Sequence, residues 1–263
     1  MKALVIIKRT PDTEAKIKLT ADGKSVDNTD IKFIINPYDE FAIEEALKIK
    51  DQKPDTEVVI ATFGSESDRE LVVKALAMGA DRGVLVKNEN LAQADSLTAA
   101  KILAKVVESE KPDIVFCGKQ AIDDDNMHVG TMLAEVLGWG HVNVVGKLAL
   151  DGNKGTAERE VEGGRMEVYE FELPCVFGAN KSLNTPRYAS LPGIMKAKKK
   201  PIDVKTVSDL GLNGDDLAKQ TKSVIRSFNY PAQKPPGKVF KGEPLETMVA
   251  KVVDLLRSEA KII

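Results

Sequence analysis

Apolar positions in the first 140 residues follow two alternating periods. Short unbroken apolar runs at Ala3–Ile7, Val58–Phe63, Gly83–Val86 and Asp113–Cys117 read as strands buried on both faces. Between them, apolar residues recur three and four apart, as on one face of a helix. The first such stretch opens at Asn36-Pro37 and carries Phe41, Ala42, Ala46, Leu47 and Ile49 on its apolar face. Asn is a good N-cap, Pro suits the first helical position, and Asp39 and Glu40 favour the positive end of the dipole. Further helices are predicted over Ser67–Met78, stopped by Gly79, over Ser96–Glu108, and over Met127–Leu137, stopped by Gly138. Ile17–Leu19 and Ser25-Val26 flank Asp22-Gly23, a hairpin signal. Repeated strand–helix units of this length predict an α/β fold, a mostly parallel sheet with helices on both faces.

Beyond residue 140 the period drops to two. Val142–Leu150, Thr156–Val161, Met166–Leu173 and Cys175–Phe177 read as strands, with turn signals at Asp151-Gly152 and Gly163-Gly164. This predicts an antiparallel extension of the sheet. Residues 180–200 show little periodicity. From Pro201 the chain is polar and proline-rich, with one amphipathic stretch over Pro244–Arg257. Such a tail has too little apolar surface for a core of its own, so it packs on the domain or on another protein. The expected division is a domain over residues 1–200, including a loop at 180–200, and a C-terminal arm over 201–263.

Composition narrows the function. Of 263 residues, 43% are hydrophobic, which fits a folded chain rather than a disordered one. A formal net charge of −2 argues against nucleic-acid binding by bulk electrostatics. Cys117 and Cys175 lie in separate apolar runs, with no CxxC pair and no Cys/His spacing of the zinc kind. Only two histidines occur, His128 and His141, so histidine-centred catalysis is a poor bet. The N-terminus enters a strand without a signal-peptide layout, and no apolar stretch approaches the roughly 20 residues that span a bilayer. The expectation is a cytoplasmic protein without membrane insertion, metal or catalytic residues.

Open parallel sheets bind ligands beyond the carboxyl ends of their strands. Four loops fall there: Lys8-Arg9, Asn36–Asp39, the turn after Ala61-Thr62-Phe63, and Gly118–Val129. In the fourth, Gly118 permits close backbone approach, and the following helix offers free N–H groups to an anion. Lys119 reaches a phosphate or is simply solvated. Gln120 has the donors and acceptors for a base edge or a ribose. Asp123, Asp124 and Asp125 invite a metal reading. Three successive acids point in different directions, however, and capping the next helix accounts for them better. With no Walker motif and no GxGxxG, neither ATP hydrolysis nor dinucleotide binding of the usual kind is indicated. His128 and Cys117 read as packing residues.

A second constellation lies at Leu191-Pro192-Gly193-Ile194-Met195, next to Lys196-Ala-Lys-Lys-Lys200. A buried loop is one reading. An exposed apolar anchor with a basic rim, gripping and steering a transient partner, is the other.

Several segments in order carry a family resemblance: Val5–Arg9, Asn36–Asp39 through Glu44–Leu47, Ala75–Arg82, Gly118–Gly130 and Leu183–Lys200. Together they resemble the electron-transfer flavoprotein beta subunits, nearly end to end. The resemblance implies an adenine-nucleotide-binding, Rossmann-like domain and a heterodimer with an alpha subunit that holds most of the FAD. It implies structural AMP, with contacts at Ile6, Asn36, Tyr38, Asp39, Phe63 and the run Gly118, Lys119, Gln120, Ala121, Ile122, Asp123, Asp124, Asp125, Asn126, Met127, His128 and Val129. It implies a partner-recognition loop containing Leu191, Pro192, Gly193, Ile194, Met195, Lys196 and Lys199, with Leu191 as the anchor. Electrons would come from acyl-CoA or related dehydrogenases, as in fatty acid oxidation, and leave to a quinone oxidoreductase. Some members hold a second FAD in the AMP position and bifurcate electrons. Asp124, where that branch has Gly, and the intact Leu183–Lys200 segment favour AMP. Two other classes are an adenine-nucleotide sensor of the universal-stress-protein type and an adenylate-forming enzyme. The Leu183–Lys200 segment argues against the first, and the lack of a base and nucleophile pair argues against the second.

Overall fold

A computed structural model describes every residue except Ala92, Gln93 and Pro235. Its strands are β1 (Lys2–Ile6), β2 (Arg9–Pro11), β3 (Lys18–Leu19), β4 (Val26–Asp27), β5 (Phe33–Ile35), β6 (Glu57–Gly64), β7 (Arg82–Lys87), β8 (Ile114–Gly118), β9 (Gly140–Asp151), β10 (Lys154–Val161), β11 (Arg165–Glu172), β12 (Cys175–Ala179) and β13 (Ile202–Lys205). The helices are α1 (Pro37–Gln52), α2 (Arg69–Met78), α3 (Ser96–Glu110), α4 (Val129–Leu137), α5 (Leu191–Ala197), α6 (Gly214–Gln220) and α7 (Leu245–Leu255).

Nine strands share one sheet in the order β11-β10-β9-β12-β8-β1-β6-β7-β13. All neighbours from β9 to β13 run parallel, and β9, β10 and β11 pair antiparallel. The central strands are buried on both faces. Ala3, Val5, Val58 and Ile60 meet α1 and α2 through Ile43, Leu47, Leu71 and Val72. Leu4, Val59 and Ala61 meet α3 and α4 through Ile102, Leu103 and Leu133. This two-sided burial is why those strands read as continuous apolar runs. From β1 the chain steps outward through β6 to β7, then returns by α3 to β8 on the other side of β1. The order therefore reverses between β1 and β8, where their carboxyl ends leave a crevice.

Three boundaries differ from expectation. Residues 201–228 belong to the first compact unit, Met1–Phe228, so that unit does not stop at residue 200. The cause is local: β13 pairs with β7 along four residues, and Val207 and Leu217 are buried in the core beneath α3. Residues 191–197, read as irregular, form α5, which Ser190 caps by accepting the Gly193 N–H at 3.1 Å. Helix α4 begins at Val129 rather than Met127, because Met127 has φ +57° and Asp125 has φ +51°, both left-handed.

The second unit, Asn229–Ile263, contains α7 and a wider turn over Leu256–Ala260. Helix α7 buries none of its side chains, and Leu245, Val249 and Val252 are exposed. Among the described residues, no helix is long and apolar enough to cross a membrane.

Candidate functional site

A cavity of about 280 Å³ lies in the crevice at the ends of β1 and β8. Thirteen of the expected contacts line it: Ile6, Asn36, Asp39, Phe63, Gly118, Lys119, Gln120, Ala121, Asp124, Asn126, Met127, His128 and Val129. Its apolar wall comes from Ile6, Phe63, Leu91 and Leu103, and its polar side from the loop between β8 and α4. Val129 and Gly130, in the first turn of α4, also face it, so the positive end of a nine-residue helix opens into the cavity.

Asp39 organises the mouth. Its side chain is buried in the first turn of α1. One oxygen accepts the Gly118 N–H at 2.8 Å and Asn36 Nδ2 at 3.0 Å, and the other accepts the Lys8 N–H at 2.7 Å. A single carboxylate thus ties α1 to the ends of both β1 and β8. Burial pushes its pKa up to about 7 against the downward pull of those three bonds. Asn36 does not cap α1 with its side chain. Instead it reaches across to the loop, donating to the Gln120 carbonyl at 2.9 Å and accepting the Ile122 N–H at 3.1 Å.

Of the three acids of the loop, expected to point in different directions, two converge on one lysine and the third turns elsewhere. Lys8 Nζ bridges Asp123 at 2.8 Å and Asp124 at 3.0 Å, while Asp125 accepts Gln120 Nε2 at 2.6 Å. Burial alone would lower the pKa of Lys8, but the two carboxylates outweigh it and raise it. None of the acids caps α4, whose N-cap position is His128 without a side-chain bond. No group of three or more His, Cys, Asp or Glu among the described residues is placed to hold a metal ion.

Four expected contacts stand outside the lining. Tyr38 sits behind Gly118 with Lys119 Nζ 4.9 Å above its ring centroid, and Ile122, Asp123 and Asp125 hold the loop through the bonds just described. The sequence reading missed the wall formed by Asn88, Leu91, Ala94, Ser96, Ala99 and Leu103. Asn88 follows β7, so the carboxyl-end rule applied to that strand as well would have found it.

Gly118 is needed for a different contact from the one anticipated. A Cβ there would lie 2.5 Å from Asp39 Oδ1, 2.6 Å from Tyr38 Cβ and 2.9 Å from the Tyr38 carbonyl carbon. The close approach is between β8 and the start of α1. Cys117, beside it, is buried, and burial with the nearby Asp39 carboxylate pushes its thiol up to about 12. At neutral pH it remains a protonated, inert wall residue.

The second constellation is on the surface. Leu191 is 80% exposed and Met195 74%, with Ile194 and Pro192 also exposed, while Gly193 is partly covered. Lys196, Lys198 and Lys199 are exposed around them. Lys200 is not part of that rim. Its Nζ donates to the carbonyls of Leu76 at 3.0 Å and Ala80 at 2.5 Å.

Comparison with known proteins places the chain in a family. The profile of the electron transfer flavoprotein domain matches residues 24–210. An electron transfer flavoprotein subunit beta of Bradyrhizobium diazoefficiens is 41% identical over 263 residues, covering 100% of both chains. The mouse protein of that name is 42% identical over 260 residues, 98% of each chain. The Bacillus subtilis one is 40% identical over 264 residues, covering 100% of both.

Proposed function

We propose a function from one premise: this chain belongs to the electron transfer flavoprotein family, as a beta subunit. It is an electron-carrier subunit rather than a catalytic enzyme. In our reading it binds AMP in the β1/β8 cavity and assembles with an alpha subunit that holds most of the FAD. When bound, FAD would supply the uptake and release of electrons. The chain's own part is to complete the heterodimer and to dock acyl-CoA-type dehydrogenases at α5, before electrons pass to a quinone reductase. The proposed setting is the cytoplasm.

The observation that carries the AMP assignment is the cavity itself. It sits at the topological switch point, and at about 280 Å³ it is small for a ligand site. A mononucleotide suits it better than an extended dinucleotide. The adenine would lie against Ile6, Phe63 and Leu103, and the phosphate toward the first turn of α4, where Lys8 and Lys119 also line the cavity. The loop is already held closed by Asn36, Lys8 and Asp39. A loop fixed in this way presents a preformed cradle to a bound nucleotide.

Docking at α5 is supported by a cluster of exposed apolar side chains ringed by lysines. The exposed face of α7 is proposed to be covered by the alpha subunit. The test is to co-express both subunits and mix the heterodimer with a catalytic amount of acyl-CoA dehydrogenase and its substrate. Bleaching of the bound flavin supports the assignment. A flavin that stays oxidised while the dehydrogenase turns over with an artificial acceptor overturns it.

A further inference from the structure

We propose that Arg187 and Lys200 are positioning residues. They hold α5 in a preformed docking shape for a partner protein that presents an apolar pocket inside an acidic rim. This rests on the reading of α5 as the docking segment and adds what makes that segment work.

The starting point is a physical difficulty. Helix α5 has seven residues, begins Leu-Pro-Gly and contains two residues with poor helix propensity. Isolated helices of that length do not persist in water. It also presents its bulkiest side chains outward: Leu191 and Met195 are exposed, and Tyr188 just before it is 98% exposed. Only Ala197 is buried. Burial of its own apolar face therefore contributes little, and something else must keep the segment ordered.

The structure supplies a clamp on each side. Before α5, the Arg187 guanidinium grips Glu44 of α1 through two bonds, Nε to Oε2 at 2.8 Å and Nη2 to Oε1 at 3.0 Å. Its backbone N–H also reaches Glu44 at 3.0 Å, and Nη2 adds Asp51 at 2.6 Å. Glu44 is a buried carboxylate. Such a two-pronged, charge-assisted pair fixes direction as well as distance. After α5, the Lys200 ammonium caps two carbonyls, Leu76 and Ala80, where α2 ends. Between the clamps, a Cβ on Gly193 would lie 2.5 Å from the Ala77 carbonyl oxygen, so the α5 backbone rests directly on the end of α2.

The four lysines of the run thus divide by role. Lys196, Lys198 and Lys199 are exposed and complement an acidic surface, whereas Lys200 turns inward. A segment already ordered binds without having to be ordered by its partner, which raises affinity without touching electron transfer itself.

The test uses the heterodimer with its FAD and an acyl-CoA dehydrogenase, measuring flavin reduction against heterodimer concentration. Lys200→Met should raise KM about tenfold at unchanged kcat and flavin content, and the defect should persist at high salt, unlike that of a rim lysine. Lys200→Arg, which can still donate to both carbonyls, should restore KM. Gly193→Ala should mimic Lys200→Met by lifting α5 off α2. Amide exchange over Leu191–Ala197 in the free heterodimer should accelerate in Lys200→Met and Gly193→Ala but not in Leu191→Ala. If Leu191→Ala is impaired while Lys200→Met and Gly193→Ala keep wild-type KM and exchange, the clamp is overturned and the docking reading stands. If Leu191→Ala is itself wild type, the docking reading falls and takes the proposal with it.

Discussion

Replacing Gly118 tests how the proposed nucleotide cradle is built. Its backbone is not in the left-handed region, so the penalty for a side chain is steric rather than conformational. A Cβ would sit 2.5–2.9 Å from Asp39 Oδ1 and two Tyr38 atoms, where carbon contacts settle near ~3.5–4 Å. The Tyr38 atoms are backbone carbon and Cβ, which cannot rotate away. Either the end of β8 or the start of α1 must move by roughly 1 Å. That movement breaks the 2.8 Å bond from the Gly118 N–H to Asp39. Overpacking costs about 1–3 kcal/mol. Leaving the buried partner short of a bond costs about 1–3 kcal/mol more. The sum is about 4 kcal/mol, or on the order of 10 °C in melting temperature for a chain of this size. Gly118→Ala isolates the Cβ and Gly118→Val adds bulk. Calorimetry of the purified heterodimer should show the drop for both, and chromatography of the denatured supernatant should show AMP below one equivalent. An alanine variant that melts within about 2 °C of wild type with a full equivalent of AMP refutes the reasoning.

Three further outcomes follow from the same geometry. Leu191→Ala should impair electron acceptance from the dehydrogenase while leaving flavin content and melting unchanged, whereas Lys196 and Lys199 variants should slow encounter at low salt only; stopped-flow reduction at two ionic strengths separates them. Asp39, with its pKa near 7, holds its proton more tightly folded than unfolded, where a carboxyl titrates near ~3.9. Its contribution to stability is therefore complete below that lower value and fades as pH rises to about 7, so the stability of Asp39→Asn relative to wild type should improve by a few kcal/mol between pH 4 and 7 and level off above. Urea titrations at several pH values check this, and a pH-independent difference contradicts it. Asp123→Ala should cost about 1 kcal/mol or less, because Asp124 keeps its own bond to the half-exposed Lys8; loss of all bound nucleotide from this variant would show a direct contact instead.

Much of the fold was legible because burial on both faces leaves unbroken apolar runs, as in Ala3–Ile7 and Val58–Phe63. Much of the cavity lining was legible because the loops at strand carboxyl ends converge there. What the sequence hid is what depends on distant partners. Asn36 looked like a cap, yet its side chain serves the loop 84 residues away through the Gln120 carbonyl. Asp39 looked like a dipole partner on a helix surface, but it is buried as the link between two strand ends. Helix α5 lacks an apolar period because clamps, not burial, hold it. Residues 201–228 look like a tail by composition, and only the pairing of β13 with β7 reveals that they belong to the sheet.

The most direct measurement is the nucleotide content of the heterodimer. Denature it, identify the released nucleotides by mass spectrometry and count them against protein. The account predicts one FAD and one AMP per heterodimer. Two FAD, or one FAD and no adenine mononucleotide, would contradict it.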